Sequence, residues 1–358
     1  MKVLTIVGAR PQFVKAAVVS AALKKEKVKE VMIHTGQHYD YNMSALFFKE
    51  LKIKAPKYNL GIGAMDREKM IVRMRLKIEE IIKTEKPSCV LVYGDTNSTL
   101  AGALAAGKYA IPVAHIESGL RSYNKKMPEE LNRIATDKVS DILFCPTATA
   151  VANLKKEGLR NGVKLTGDVM YDALLAFLPV AVKRSKILRK LGLKKGGYIL
   201  VTLHRAENTN SRKCLASIFQ ALYKLAEYKK IVMPLHPRTK KYLLAYGFYE
   251  EASKKLQLVD PVGYLDNLLL MKNSAKICTD SGGMQKEAYL LKVPCLTLRG
   301  ETEWVETVRA GWNVIAGADT KKIFREGMKK KTDRKHPELY GNGRASEIIV
   351  KMLKERYS

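Results

Sequence analysis

One local pattern recurs along this 358-residue chain and restricts its fold more than any other feature. A short run of β-branched and aliphatic residues is followed by a turn of glycine, proline or polar residues, and then by a segment with helical periodicity. This alternation is typical of parallel βαβ units, so the sequence predicts an α/β protein. The predicted strands are Val3–Val7, Glu30–His34, Cys89–Tyr93, Val113–Ile116, Ile142–Cys145, Val163–Thr166, Tyr198–Leu203, Lys230–Leu235, Leu256–Leu258, Ala275–Cys278 and Val293–Leu298.

The βαβ units fall into two clusters, which agrees with about two domains for a chain of this length. The helix-like stretch Ala173–Gly197 lies between the clusters and is the predicted crossing from one domain to the next. The final stretch, Ala345–Tyr357, has apolar residues on one helical face and therefore needs a surface to pack against.

Polar, small and charged residues follow most of the predicted strands. Ligands of open parallel α/β sheets bind at the carboxyl ends of the strands. We therefore expect these groups to converge from both halves of the chain on an interdomain cleft. They are Gly8-Ala9-Arg10-Pro11, Thr35-Gly36-Gln37-His38, Gly94-Asp95-Thr96-Asn97, Glu117-Ser118-Gly119, His204-Arg205-Ala206-Glu207, His236-Pro237-Arg238 and Asp280-Ser281-Gly282-Gly283.

The segment Asp280–Gly283 predicts a diphosphate site. It follows an apolar run and precedes a helical pattern, where glycines let backbone N–H groups approach a phosphate closely. Glu287, one helical turn later, is a candidate acceptor for sugar hydroxyls, and Arg10 offers a guanidinium to phosphate at another helix start. A purely structural turn and a solvated glutamate are the alternatives. Gly61-Ile62-Gly63 is too weak for a dinucleotide fingerprint and no GxxxxGK[ST] motif occurs, so NAD and ATP chemistry lose support.

The candidates for acid and base chemistry are Asp95, Glu117, Glu129, Glu130 and His204. Asp95 and Glu117 directly follow predicted strands, where burial can raise the pKa of a carboxylate into a useful range. A helix cap is the alternative for Asp95, and a structural role is the alternative for His204. The sequence has no GxSxG or HExxH motif and no histidine cluster at metal spacing, so serine-hydrolase and zinc-hydrolase interpretations lose support.

The charge balance is strongly basic, with 64 Lys+Arg against 35 Asp+Glu and a net charge of +29. An excess of this size brings nucleic acid or another anionic partner into consideration. The lysines occur in short runs without an RNA-binding aromatic motif or a zinc finger, which favours a solvated surface.

Five cysteines without CxxC spacing predict buried thiols. The lack of a membrane-length apolar run or a signal-peptide pattern predicts a cytoplasmic protein.

Eight motifs follow one another along nearly the whole chain: Val7-Gly8-Ala9-Arg10-Pro11 with Lys15, Thr35-Gly36-Gln37-His38-Tyr39-Asp40, Val92-Tyr93-Gly94-Asp95-Thr96, His115-Ile116-Glu117-Ser118-Gly119-Leu120-Arg121, Pro128-Glu129-Glu130-Leu131-Asn132-Arg133, Thr166-Gly167-Asp168, His204-Arg205-Ala206-Glu207-Asn208 and Asp280-Ser281-Gly282-Gly283-Met284-Gln285-Lys286-Glu287. In this order they resemble the non-hydrolysing UDP-N-acetylglucosamine 2-epimerases. The resemblance implies a GT-B-like fold of two Rossmann-like domains and a homodimer. It also implies that the last helix returns to the first domain. The N-terminal domain, with the catalytic carboxylates, is then 1–172 plus 342–358, and the UDP-binding domain is 173–341.

The resemblance also implies a reaction. In the family the C2 proton leaves and UDP departs from C1, which gives a 2-acetamidoglucal; the proton returns to the other face and UDP re-adds. Asp95, Glu117 and Glu129 match the family's catalytic carboxylates, and His204 matches its active-site histidine. The positions that match its UDP contacts are Arg10, Lys15, Arg133, Ser281, Gly282, Gly283 and Glu287. The implied conversion is UDP-GlcNAc to UDP-ManNAc for cell-surface polysaccharide biosynthesis, without a cofactor or a metal.

The chain departs from the family pattern at Thr302–Glu306. Many members read Thr-Glu-Arg-Pro-Glu there, whereas this chain reads Thr-Glu-Trp-Val-Glu, which makes Arg299 a candidate for the place of the missing arginine. The Trp-Val version resembles a branch that acts on UDP-2,3-diacetamido-glucuronate, so this substrate is an alternative. A GT-B glycosyltransferase is the other enzymatic alternative. A nucleic-acid-binding protein, supported only by the charge, is the alternative from another class.

Overall fold

The computed structural model describes residues 1–37, 50–51, 53–63, 65–329 and 334–358. The strands are β1 (Lys2–Val7), β2 (Lys29–His34), β3 (Tyr58–Asn59), β4 (Cys89–Tyr93), β5 (Val113–Ile116), β6 (Ile142–Cys145), β7 (Val163–Leu165), β8 (Tyr198–Thr202), β9 (Lys230–Pro234), β10 (Gln257–Val259), β11 (Lys276–Thr279), β12 (Cys295–Thr297) and β13 (Asn313–Ile315). The described helices are α1 (Arg10–Lys25), α2 (Arg67–Glu85), α3 (Asn97–Lys108), α4 (Pro128–Val139), α5 (Ala148–Lys156), α6 (Val169–Arg184), α7 (Ile187–Lys190), α8 (Ala206–Thr209), α9 (Arg212–Ala226), α10 (Pro237–Ala245), α11 (Tyr249–Lys255), α12 (Tyr264–Asn273), α13 (Gly282–Leu290), α14 (Val305–Arg309), α15 (Thr320–Met328) and α16 (Ala345–Tyr357).

The chain divides into two compact units, residues 1–176 with 338–358 (unit 1) and residues 177–337 (unit 2). Each contains one parallel sheet. The sheet of unit 1 has the order β3-β2-β1-β4-β5-β6-β7, and the sheet of unit 2 has the order β10-β9-β8-β11-β12-β13. Both contain the 3-2-1-4-5-6 order of a Rossmann fold, which confirms the predicted α/β class with two Rossmann-like domains.

The sheets are covered by helices, so the central strands carry continuous apolar runs rather than alternating ones. In unit 1, Ile6 of β1 and Val92 of β4 are fully buried against apolar residues of α2 and α3. In unit 2, Val201 of β8 packs in a core with Phe219 and Leu222 of α9. These two cores hold the strands whose carboxyl ends carry the candidate site residues.

The last helix, α16, packs on α1 in unit 1. Ile349 and Leu353 are fully buried, and ion pairs of 2.9 Å join Lys25 to Glu347 and Lys354 to Glu26 at the surface. The chain leaves unit 1 inside α6, at 176/177, and returns at 337/338. The predicted boundaries, 172/173 and 341/342, each lie four residues from these positions. Both 172/173 and 176/177 fall inside helix α6, in agreement with the helix-like stretch predicted there.

All eleven predicted strands are present, with ends that differ by at most two residues from the prediction. The prediction missed β3 and β13, which have two and three residues and lie at the edges of their sheets. Runs this short carry no readable periodicity. Within the described ranges, no helix is both long enough and apolar enough to span a lipid bilayer.

Candidate functional site

Each sheet reverses its strand order at one point, between β1 and β4 in unit 1 and between β8 and β11 in unit 2. At such a switch point the two connections leave toward opposite faces of the sheet, and a ligand can bind at the carboxyl ends of the strands. Most of the sequence-predicted site residues follow these four strands or β5, the neighbour of β4.

The turn after β1 is held by hydrogen bonds that leave little freedom to its backbone. Gln12 Oε1 accepts from the N–H groups of Gly8 and Ala9 at 2.7 and 3.0 Å, and Gln12 Nε2 donates to the Tyr93 carbonyl at 2.8 Å. A Cβ atom at Gly8 would lie 2.1 Å from the hydroxyl oxygens of Thr35 and Ser98, so only glycine fits there. Arg10 therefore begins α1 on a fixed backbone, and its side chain is partly exposed.

Glu117 and Lys15 form a nearly buried ion pair. Lys15 Nζ lies 2.5 Å from Glu117 Oε1, and the two side chains are only 6% and 11% exposed. Glu117 directly follows β5 with φ of +72°, a conformation that residues with a side chain rarely adopt. Strained backbone persists only where the surrounding structure holds it in place, and it clusters at functional sites.

Asp95 is paired with Arg133 and does not cap a helix. Arg133 Nη2 donates to Asp95 Oδ2, and the Asp95 carbonyl accepts from Asn132 at 3.0 Å. The N-cap of α3 is Thr96, whose hydroxyl accepts from the Thr99 N–H. The cap alternative for Asp95 is therefore wrong, because the neighbouring threonine fills that position.

The two adjacent glutamates at the start of α4 have different surroundings. Glu130 is 1% exposed and accepts from Ser122 N–H, the Ser122 hydroxyl and Tyr123 N–H at 2.9 to 3.0 Å, so it holds the preceding loop. Arg133 also donates to it. Glu129 is less buried than Glu130 and lies in the same helical turn. The local sequence pattern left both carboxylates as candidates, and only the family resemblance selected Glu129. The contacts of Glu130 give it a structural role.

In unit 2, His204 is oriented by Asp280. The Asp280 carboxylate accepts from the N–H groups of His204 and Arg205 at 2.8 to 3.1 Å, and His204 Nδ1 lies 3.2 Å from Oδ1. Burial by itself raises the pKa of Asp280, but the hydrogen bonds from His204 and from the backbone outweigh it and hold the pKa below its usual value. A carboxylate can only accept, so Nδ1 donates to it and Nε2 points away from it.

Sequence reasoning missed this role of Asp280. The parallel register pairs Thr279 with Thr202, so the residues that follow β11 and β8 lie side by side. A Rossmann strand order places the first and fourth strands next to each other, and this was the signal that could have found the pair.

Helix α13 begins at Gly282 with Ser281 at its N-cap, and the Ser281 side chain makes no capping hydrogen bond to the first turn. A Cβ atom at Gly282 would lie 2.1 Å from Glu303 Oε1, so packing requires this glycine. Gly283 is exposed, and a Cβ atom there would meet nothing within 4 Å. Packing within the protein gives no reason for glycine at 283, whereas close approach of an anion to a helix start gives one.

Glu287 is 5% exposed and faces Tyr264 of α12. Burial raises the pKa of Tyr264 well above its usual value, and the nearby Glu287 carboxylate adds to this effect, so the tyrosine hydroxyl stays protonated. Glu287 is therefore not the solvated helix face of the alternative interpretation.

Arg299 lies in an acidic environment. Its guanidinium is fully buried and lies 3.1 Å from Glu303 and 3.5 Å from each of Glu207 and Glu301. These contacts hold the loop after β12 in position. In the segment after the same strand, Trp304 is 2% exposed, and the ammonium of buried Lys286 lies 4.3 Å from the Trp304 ring centroid.

Part of one motif, His38-Tyr39-Asp40, lies outside the described residues. Among the residues that the structure does describe, no group of three or more His, Cys, Asp or Glu side chains is arranged to hold a metal ion.

Comparison with known proteins identifies the family of this chain. The family model described as UDP-N-acetylglucosamine 2-epimerase matches residues 21–354. The chain belongs to this family. The eight ordered motifs predicted it, and the match confirms that prediction.

Relatives of this epimerase family match from end to end. A protein of Methanococcus maripaludis named UDP-N-acetylglucosamine 2-epimerase homolog is 51% identical, over 99% of both chains. The UDP-2,3-diacetamido-2,3-dideoxy-D-glucuronate 2-epimerase of Pseudomonas aeruginosa is 49% identical, also over 99% of both. The crystal structure of Methanocaldococcus jannaschii UDP-GlcNAc 2-epimerase in complex with UDP-GlcNAc and UDP is 42% identical, with a TM-score of 0.93 over 99% of this chain and 100% of that one. This similarity confirms the GT-B-like fold class.

Proposed function

We propose that the protein epimerises the UDP sugar UDP-GlcNAc reversibly at C2, giving UDP-ManNAc. The observation that carries the proposal is the end-to-end match to the family, together with 42% identity to an enzyme crystallised with UDP-GlcNAc and UDP. Elimination breaks the C2–H and C1–O bonds and forms a C1=C2 double bond. Return of the proton to the other face and attack by the UDP oxygen at C1 reverse these changes, so the reaction is redox-neutral.

In this proposal unit 1 handles the proton. Asp95, Glu117 and Glu129 are the carboxylates that accept and return it, because groups are needed on both faces of C2. The pairs Lys15–Glu117 and Arg133–Asp95 fix two of the carboxylates in position. Lys15 and Arg133 also supply positive charge for the anionic substrate.

Unit 2 binds the leaving group in this proposal. The N–H groups at the start of α13, with Ser281, Gly282 and Gly283, receive the diphosphate, and buried Glu287 accepts from a sugar hydroxyl. His204, held by Asp280, donates from Nε2 to the oxygen that departs from C1. Arg10 of unit 1 adds a guanidinium for phosphate.

The test is proton exchange. The protein is incubated with UDP-GlcNAc in deuterated water, and NMR should show deuterium at C2 together with the manno epimer. Asp95→Asn is the matched control and should show both changes at a rate lower by on the order of 100-fold or more. A glycosyltransferase would leave C2 unlabelled and need an acceptor, and a nucleic-acid-binding protein would leave the sugar nucleotide untouched. Absence of C2 label with UDP-GlcNAc would overturn the proposal.

The second candidate substrate is UDP-2,3-diacetamido-glucuronate, because the 49% identity to its epimerase exceeds the 42% to the UDP-GlcNAc enzyme. Trp304, buried beneath Lys286, stands where many members have arginine, which is a second reason to test it. The two UDP sugars should be compared in the same exchange assay. The larger kcat/KM identifies the natural substrate, since this ratio measures discrimination between substrates.

We infer further that the enzyme works as a homodimer in the cytoplasm. All five cysteines are free thiols, as is usual in a reducing compartment, and the family resemblance implies the dimer. Light scattering should give twice the 40.2 kDa mass of the chain. A monomeric mass at assay concentration would contradict the dimer.

A further inference from the structure

Unit 1 contains a buried polar network behind the loops that carry Asp95 and Glu117. It starts at His115, which lies on β5 and is fully buried. His115 Nδ1 lies 2.8 Å from Asp137 Oδ1, and His115 Nε2 lies 2.7 Å from the Gly94 carbonyl oxygen. Buried side chains in such a network specify the positions of everything they bond.

Asp137 extends the network to the other loop. Its second oxygen, Oδ2, accepts from the Gly119 N–H at 3.2 Å and from Arg121 Nη1 at 2.7 Å. Arg121 in turn makes two bonds of 2.6 Å to Glu157. Asp137 is fully buried, so the hydrogen bonds that its carboxylate accepts form away from water.

The atoms that bond to His115 and Asp137 belong to the segments that carry the proposed catalytic carboxylates. The Gly94 carbonyl belongs to the peptide unit whose nitrogen is that of Asp95. Glu117 lies two residues after His115, directly beyond the end of β5, and Gly119 lies two residues further on. Asp137 is on α4, the helix that also carries Glu129 and Arg133. One histidine–aspartate pair thus joins the three segments that bear the proposed carboxylates.

The two contacts make the His115 ring a bridge. Burial by itself raises the pKa of Asp137, but the hydrogen bonds and electrostatic interactions with His115 and Arg121 outweigh it and lower the pKa. The His115 ring therefore joins the Asp137 carboxylate to the Gly94 carbonyl oxygen, one through each ring nitrogen.

We propose that His115 and Asp137 form a buried positioning pair that holds the peptide before Asp95 and the turn after Glu117 against α4. The proposal rests on the proposed function, because it assigns the pair to the alignment of those carboxylates. Neither side chain touches the substrate in this proposal. A misplacement of about 1 Å at a reacting group can cost on the order of 100-fold in rate, so the alignment is a sufficient reason for the pair.

The test compares turnover with binding. His115→Gln can donate to only one of the two acceptors and presents an amide oxygen to the other. We expect kcat to fall roughly tenfold or more. Because the phosphate-binding helix α13 is in unit 2, KM for the UDP sugar and Kd for UDP should stay within about twofold. An equal loss in kcat and in UDP affinity would mean general damage and would overturn the proposal.

Two further variants separate positioning from plain destabilisation. In the double variant His115→Gln with Asp137→Asn, one amide can donate to the other while the glutamine amide donates to Gly94, so kcat should recover relative to either single variant. Ile78→Ala removes a fully buried side chain of α2 and serves as the control: its melting temperature should fall while kcat per folded enzyme is retained. Loss of kcat in this control equal to that in His115→Gln would also overturn the proposal.

Failure of the proposed function is distinguishable, because the unmodified protein would then exchange no C2 proton. Failure of the present proposal would leave an active enzyme whose kcat does not depend on His115.

Discussion

Two Rossmann-like units of the same strand order carry different chemistry at their switch points. Unit 1 presents carboxylates that are paired with buried cations, Glu117 with Lys15 and Asp95 with Arg133. Unit 2 presents a helix start with an exposed glycine, Gly283, and a histidine held by a buried aspartate. The shared topology places loops at one edge of each sheet, and in the proposed function the residues on those loops decide whether the edge moves a proton or binds an anion.

The pairs in unit 1 also determine how it can be tested. Removing one partner of a buried ion pair leaves an uncompensated charge and typically costs about 3–5 kcal/mol of stability. Truncation of Lys15 or Arg133 would therefore mix folding with chemistry. Replacing the carboxylates by their amides keeps the shape and removes the charge, so it is the cleaner perturbation.

The largest effect is expected in unit 1. Asp95→Asn, Glu117→Gln and Glu129→Gln should each lower kcat by on the order of 100-fold or more, because general acid–base groups contribute that much. Steady-state kinetics measures the loss, with circular dichroism to show an intact fold. Glu80→Gln, at an exposed glutamate of α2, is the matched control and should keep full activity. Near-normal turnover in all three variants would remove the assignment of proton transfer to unit 1.

The next effect concerns the two glycines at the start of α13 in unit 2, Gly282 and Gly283. Gly283→Ala meets nothing within 4 Å in the protein, so stability should be retained, yet the added methyl should weaken UDP binding by roughly tenfold, or about 1.4 kcal/mol. Calorimetry with UDP measures this loss. Gly107→Ala, another helical glycine with an open Cβ position, is the control and should leave UDP affinity unchanged.

Gly282→Ala completes this series. Its methyl would overlap Glu303 Oε1, so this variant should lose stability as well as affinity. If Gly283→Ala binds UDP as tightly as the unmodified chain does, the anion site is not at the start of α13, and the contrast between the units fails.

The sequence predicted eleven of the thirteen strands in the described residues, and the polar residues that follow them, because parallel sheets place polar groups after apolar runs. Its local pattern could not distinguish Glu129 from Glu130, since adjacent residues at a helix start share every local signal. The family resemblance selected Glu129, and the contacts of Glu130 with Ser122 and Tyr123 agree with a structural role for Glu130. Pairings such as His204 with Asp280 join positions 76 residues apart, and they depend on strand order rather than on local pattern.

A third prediction concerns Glu85, a paired carboxylate of unit 1 that we expect to contribute to stability and not to catalysis. Glu85, at the end of α2, accepts from Lys57, from the Tyr58 hydroxyl at 2.7 Å and from Lys2 at 3.3 Å. The Lys57 and Tyr58 hydrogen bonds lower its pKa from 4.5 to about 2. Because the folded-state pKa lies below the unfolded one, the stabilisation is complete above pH 4.5 and is lost as the pH falls through about 2.

We therefore expect Glu85→Gln to lower the free energy of unfolding at neutral pH by about 1–2 kcal/mol, less than the full shift because exposed Lys57 is screened by solvent. The difference from the unmodified chain should shrink as the pH falls from 4.5 toward 2, and kcat should not change. Urea unfolding at several pH values measures it. A pH-independent loss would mean that packing, and not charge, accounts for the role of Glu85.

The smallest effect is expected from the basic charge, which also differs between the units. Residues 177–337 carry 32 Lys+Arg against 14 Asp+Glu, a net +18, and the remainder of the chain carries +11. Six lysines of unit 2, among them Lys195, Lys229 and Lys292, line one surface cavity of about 600 Å³.

If the basic residues only interact with solvent, the protein should bind duplex DNA weakly. This affinity should vanish near 0.15 M salt, where the Debye length is about 8 Å. Lys195→Glu with Lys292→Glu should then change neither epimerisation nor this weak binding appreciably. A nucleic-acid partner would instead give submicromolar binding at that salt, with log K falling at a slope near −0.9 per phosphate neutralised. Anisotropy titrations of labelled duplex and single strands across salt concentrations distinguish the two outcomes. Tight binding abolished by the two substitutions would make unit 2 a nucleic-acid surface as well as a diphosphate site, and the contrast between the units would then include a second ligand.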